Sequence, residues 1–144
     1  MAWDVPMLLS QTAAQLEQLF GQSESGPIPN GPAKGTAIVA PGTVYTHDIA
    51  EAVNLFVWQG KSFDGPHGVL RNRILAFGLN AIVAEVYKGP SLIDGRECIV
   101  IDYSKTSLVA KWVRDEIRLI GPGIYLGRVY WDNKPALYFA LQTD

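Results

Sequence analysis

The chain has 144 residues, 48% of them hydrophobic and 18% charged, with a formal net charge of −2. That length suits one domain with a core of its own, and that charge offers no basic patch for nucleic acid. No run of about 18 apolar residues is present to cross a membrane as a helix, and a single cysteine, Cys98, excludes an intrachain disulfide and fits a reducing, cytoplasmic compartment.

The chain begins MAWDVPMLL, where no basic run precedes the apolar residues and Asp4 and Pro6 interrupt them, so no secretory leader is expected. Over 7–20, Leu8, Leu9, Ala13, Leu16, Leu19 and Phe20 recur at near-helical spacing. The stripe predicts an amphipathic helix that must bury one side against the body, a partner protein, or a second copy of the chain in a homodimer. GQSESGPIPNGPAKG follows as a linker or surface loop. The expected organisation is therefore residues 1–24 as helix and start of linker, and 25–144 as a single α+β domain. GTAIVAPGT reads as a strand. Asp48 and Glu51 resemble a capping box opening a second helix, DIAEAVNLFVW.

WQGKSFDGPHG (58–68) reads as a loop that gathers Trp58, Lys61, Phe63, Asp64 and His67. Its GKS is not a phosphate loop, because position 55 is Leu where the wrapping glycine is required. The two histidines, His47 and His67, have no partner at metal-ligand spacing, so neither a metal nor a cofactor is implied. From Gly68 onward VLRNRILAF, AIVAEVYKG, ECIVIDY, GIYLGRVYW and PALYFALQ have the length and composition of strands separated by short turns. Cys98 in ECIVIDY reads as a buried thiol filling space. VLRNRIL sets Arg71 and Arg73 on one face. In the final hairpin, Trp131 opposite Pro135 places Val129 opposite Leu137, Gly127 opposite Phe139 and Arg128 opposite Tyr138.

SLVAKWVRDEIRLIG (107–121) reads as a helix with Leu108, Val109, Trp112, Val113, Ile117, Leu119 and Ile120 on one side. Arg114, Asp115 and Arg118 then form a solvated face, and Glu116 sits within the apolar one. A carboxylate there needs partners, since burying it unpaired costs several kcal/mol. Two readings stay open: a structural tether to the sheet, or a pocket carboxylate serving as general acid or base. If the segment is partly strand, Glu116 instead shares a side with Trp112, Arg114, Arg118 and Ile120.

The segment RDEIRLIGPGIYLGRVYW, following IDYSKTSLVAKW, is similar to one that recurs in little-characterised bacterial proteins. FVWQGKSFDG resembles the lipocalin-like GXWXG family, with Phe56 standing where the motif has its first glycine. The resemblance implies a calycin-like barrel or half-barrel with an interior cavity and supplies no catalytic residue. The expected fold is α+β: a curled antiparallel sheet or partial barrel of about six strands with two or three flanking helices. The expected function is binding of a small, largely apolar molecule in that interior, with Glu116, Arg73, Tyr103, Tyr125 and Arg128 as polar contacts and Trp58 and Trp112 as walls. Strand parity sets Tyr125 and Arg128 on opposite faces, so one cavity does not take both. The alternatives are an enzyme using Glu116 for acid–base chemistry in the same pocket, or an interaction protein working through its amino-terminal helix.

Overall fold

A computed structural model describes residues 3–38, 59–74, 79–103 and 113–143. Two helices, α1 (Val5–Leu9) and α2 (Ala13–Gln22), precede eight strands: β1 (Gly31–Ile38), β2 (Gln59–Asp64), β3 (Val69–Ile74), β4 (Leu79–Pro90), β5 (Glu97–Asp102), β6 (Val113–Gly121), β7 (Ile124–Trp131) and β8 (Lys134–Thr143). Every strand pairs antiparallel with its sequence neighbour, and β1 also pairs with β8, so the sheet closes into a barrel with no free edge.

The amino-terminal periodicity is helical, but 7–20 is two helices and not one. Asp4 caps α1 by accepting from the Met7 amide at 2.8 Å. Thr12 and Gln15 then form a capping box that restarts the chain as α2. Leu8, Leu16 and Phe20 have no solvent exposure and pack with Ile38, Cys98, Val100, Ile124, Leu126, Tyr138 and Ala140 on the outside of the barrel. Of the surfaces the apolar stripe was expected to bury against, the body of the chain takes Leu8, Leu16 and Phe20, while Leu9 stays 46% exposed.

The six strands expected from sequence are present, and two further strands make eight. One is β2, which occupies most of the stretch read as a loop from 58 to 68. The other is β6, in the second half of the segment read as a helix. Its residues alternate in pairing with β5 and β7, Ile117 opposite Ile99 and Gly127, Glu116 opposite Val100 and Arg128. Both faces of β6 are buried, which hides the period of two that normally marks a strand. The helix expected over 48–58 lies outside the described residues, as do Trp58 and Trp112.

Alternation sorts the strand residues into two layers. Phe63, Ala84, Val86, Ile99, Ile101, Tyr103, Val113, Ile117, Tyr125, Val129, Leu137, Phe139 and Leu141 form one cluster with no helix residue in it, which is the barrel interior. Gly127 allows one close approach there: a Cβ on it would collide with the Phe139 ring, so that ring lies across the glycine. In the last hairpin the pairings Val129–Leu137, Arg128–Tyr138 and Gly127–Phe139 are as expected. The turn differs. Asp132 and Asn133, both with positive φ, make a two-residue connection with Trp131 opposite Lys134, and an extra residue on β8 restores the register.

Candidate functional site

One end of the barrel is crossed by described residues. There, residues 23–30 run across the opening. The Leu119 amide donates to the carbonyls of Glu24 and Ser25 at 3.1 and 3.2 Å, and the Tyr125 hydroxyl donates to the Pro27 carbonyl at 2.7 Å. Ile28 packs into the interior cluster, and the Gly65 amide donates to the Asn30 side chain at 3.0 Å on the far side. The chain therefore closes this end from β6 to the β2–β3 turn. At the other end the β7–β8 connection is the tight Asp132–Asn133 turn, while residues 39–58, 75–78 and 104–112 lie outside the described residues.

Rows of paired residues run around the interior between these ends. Val113 and Trp131 lie opposite each other nearest the second end. Two residues deeper, Val86, Ile101, Asp115, Val129 and Leu137 are linked through successive strand pairs. Deeper again come Ile99, Ile117, Gly127 and Phe139, where the ring over the glycine makes a floor. Asp115 is only 1% exposed and shares its side of β6 with Val113 and Ile117. The expectation that it belongs to a solvated face is corrected, and the cause is the strand: period two turns it inward between two core residues.

Glu116 points the opposite way, to the outer face and not to the interior. It is completely buried under the β4–β5 loop. One carboxylate oxygen accepts from the Ser91 hydroxyl at 2.7 Å and the Tyr130 hydroxyl at 3.3 Å. The other accepts from the Leu92 amide at 2.9 Å and from Arg114 Nε and Nη2 at 3.2 and 3.0 Å. Arg114 Nη2 also reaches the Pro90 carbonyl at 3.0 Å. Five donors on one buried carboxylate make a tether that holds the loop on the barrel. Burial and the Glu116 charge together push the Tyr130 phenol well above its usual range.

Arg118, assigned by the helix reading to solvent, is also fully buried, one step further along the same outer face. Its Nε donates to the Glu97 carbonyl, Nη1 to the Phe20 carbonyl and Asp94, and Nη2 to Asp94 and the Arg96 carbonyl. The guanidinium lies 4.5 Å from the Phe20 ring centroid. Its hydrogen bond to Asp94 is the main reason that carboxyl titrates well below its usual range. Arg118 thus joins α2, β5 and the β4–β5 loop. Cys98 lies on this covered face, and burial, helped by the Glu116 charge, pushes its thiol up to about 12.

The remaining expected contacts divide between the two faces. Tyr103 and Tyr125 line the interior, with the Tyr125 hydroxyl held by Pro27 at the closed end. Arg128 is outside, half-buried, its guanidinium 5.4 Å from both the Tyr130 and Tyr138 ring centroids and its Nε buried without a hydrogen-bond partner among the described residues. Arg73 lies in β3 opposite Gly60. His67 is exposed beside Asp64 at 2.8 Å. Among the described residues no group of three His, Cys, Asp or Glu is placed to hold a metal, and no helix is long and apolar enough to cross a membrane. Asp115, an interior carboxylate among the described residues, was missed because the helix reading gave it to solvent.

No family model and no curated protein matches this chain. A solved crystal structure of a protein from Thermomonospora curvata is similar, with a TM-score of 0.63 over 94% of this chain and 89% of that one, at 15% identity. Its likeness is one of fold: a curled antiparallel sheet with flanking helices.

Proposed function

We propose that this barrel binds a small, largely apolar molecule in its interior, entering from the end opposite the 23–30 segment. The observation that carries the reading is a closed barrel with an apolar interior, crossed at one end by its own chain. One end is crossed by residues 23–30 through Glu24, Ser25, Pro27 and Ile28. Among the described residues the wall above the Phe139 floor is formed by Val113, Ile101, Val129 and Leu137, with Asp115 between them. Apolar walls with a few placed polar groups are what ligand sites of this kind have. The GXWXG resemblance of FVWQGKSFDG points to the same family of barrels. Tyr103 and Asp115 supply the polar contacts in this reading, whereas Glu116 and Arg128 act on the outer face. Glu116 is not the general acid or base of an interior site in this reading, since its acceptor positions are taken by structural donors.

Native mass spectrometry of the protein as purified, and after incubation with apolar molecules of about ten heavy atoms, tests the proposal. A stoichiometric non-covalent adduct that is removed by unfolding supports it. A bare mass under every condition counts against it.

A further inference from the structure

A cleft of about 510 Å³ lies at the rim of the end crossed by residues 23–30, between that segment and strands β4 and β5. Its volume falls within the range of about 300–1,000 Å³ typical of small-molecule sites. Its lining is polar: Ser23, Glu24 and Ser25 on the crossing segment, Lys88 on β4, Arg96 just before β5 and Glu97 at its start. None of these belongs to the interior cluster or to the cluster beneath the helices. Strand pairing brings the charge there. Lys88 pairs with Ile99, and Glu97 stands two residues from Ile99 on the same side, so the rows that carry Val86, Ile101 and Ile99 end in a cation and an anion. Three of the lining groups hold the cleft in shape. Arg96 donates to the Gly21 and Ser23 carbonyls, Ser23 donates to the Leu19 carbonyl at 2.7 Å, and the buried Ser25 hydroxyl donates to Glu97 at 3.0 Å. What remains unspent is charge. Lys88 and Glu24 make no side-chain hydrogen bond or ion pair among the described residues, and Glu97 keeps one carboxylate oxygen without a donor among them.

We infer that this cleft binds a small zwitterion of the amino-acid class, its ammonium held by Glu24 and Glu97 and its carboxylate by Lys88. An ammonium carries three donors and a carboxylate only acceptors, so one such molecule satisfies all three unspent groups at once. A plain amine leaves Lys88 without an acceptor and is repelled by it, and a plain carboxylate meets the same obstacle at the two glutamates. The cleft takes its polar ligand whether or not the interior takes an apolar one.

Titration of the full chain with glycine, 4-aminobutyrate and 6-aminohexanoate, followed by proton–nitrogen correlation spectra at low ionic strength, tests the inference. The amine and the carboxylate of matching length serve as single-charge controls. At least one of the three amino acids shifts the Ser23, Glu24, Arg96 and Glu97 amides saturably, and its two controls bind about two- to fivefold more weakly, the size of a solvent-accessible ion pair. Lys88→Met, at an exposed position, weakens the zwitterion by about the same two- to fivefold and does not weaken the amine. Glu24→Gln weakens the zwitterion and does not weaken the carboxylate. No saturable shift with any of the three, with the barrel intact by circular dichroism, overturns the inference. So does an amine or a carboxylate that binds as tightly as the zwitterion, or a Lys88→Met protein that folds and binds it unchanged. Shifts that leave the four cleft amides unmoved overturn it as well, and none of these results bears on the interior site.

Discussion

Replacing Glu116 probes the distinction between a tether and a working carboxylate. In Glu116→Gln the side-chain shape is kept and one acceptor oxygen becomes a donor amide. The retained oxygen can stay with the Leu92 amide and Arg114, while the new NH2 faces Ser91 and Tyr130, whose hydroxyls can turn and accept. What is lost is the charge on the partner of Arg114. Hydrogen bonds to charged groups contribute about 1.5–3 kcal/mol and neutral ones about 0.5–1.5, so the substitution costs about 1–3 kcal/mol. Glu116→Ala leaves Arg114, Ser91, Tyr130 and the Leu92 amide without their acceptor beneath the loop and costs about 3–5 kcal/mol. Urea unfolding at pH 7 measures both, with the slope against denaturant checking that the unfolded state is unchanged. In thermal melts the same losses appear as about 2–4 °C per kcal/mol for a chain of this size. Glu116→Ala within about 1 kcal/mol of wild type refutes the tether. Ligand affinity in the Gln variant stays within about twofold of wild type, because the carboxylate faces away from the interior.

Three further outcomes follow from the same geometry. Asp94 has a depressed folded-state pKa, so its ion pair with Arg118 stabilises the fold above the ordinary carboxyl range and loses that contribution as pH falls through it. Asp94→Asn therefore lowers stability by about 1–3 kcal/mol at pH 7 and flattens the pH dependence of unfolding between roughly pH 5 and 2; an unchanged acid limb refutes the assignment. Gly127→Ala overpacks the floor and destabilises by about 1–3 kcal/mol, and adding Phe139→Leu recovers part of the loss. A double variant at least as unstable as the sum of the two single ones would show that the ring and the glycine do not compete for the same space. Cys98, buried with its thiol pushed up to about 12, resists a disulfide reagent at pH 8 in the native protein and reacts at once in urea. Prompt native labelling would place the thiol outside the helix-covered face.

Most of the barrel is legible in the sequence because its strands are short β-branched and aromatic runs between turns, and the hairpin pairings Val129–Leu137 and Gly127–Phe139 follow from counting across one loop. The two missed strands fail for different reasons. Lys61, Asp64 and the adjacent glycines make β2 look like a loop, although Phe63 is a core residue at 3% exposure. In β6 the sequence VRDEIRLI carries charge on both faces: Asp115 within the interior, and Arg114, Glu116 and Arg118 beneath a loop and a helix. Charged residues read as solvent-facing until a covering element is known, and what covers β6 comes from residues 20 and 91–96, far away in sequence. The alternation Val113, Asp115, Ile117, Leu119 was the signal available. The helix break at residues 10–12 is likewise local and readable, since Thr12 and Gln15 stand at capping-box spacing.

The central claim is that ligands enter the barrel and do not bind on its helix-covered outer face. Isoleucine δ-methyl spectra separate the two. Ile28, Ile99, Ile101 and Ile117 belong to the interior cluster, and Ile38, Ile93, Ile120 and Ile124 to the outer one. Titration with octylamine is expected to shift Ile101 and Ile117 most, and to leave Ile38, Ile93 and Ile124 unmoved. Saturable shifts confined to the outer four, with Ile101 and Ile117 unchanged, would contradict the account.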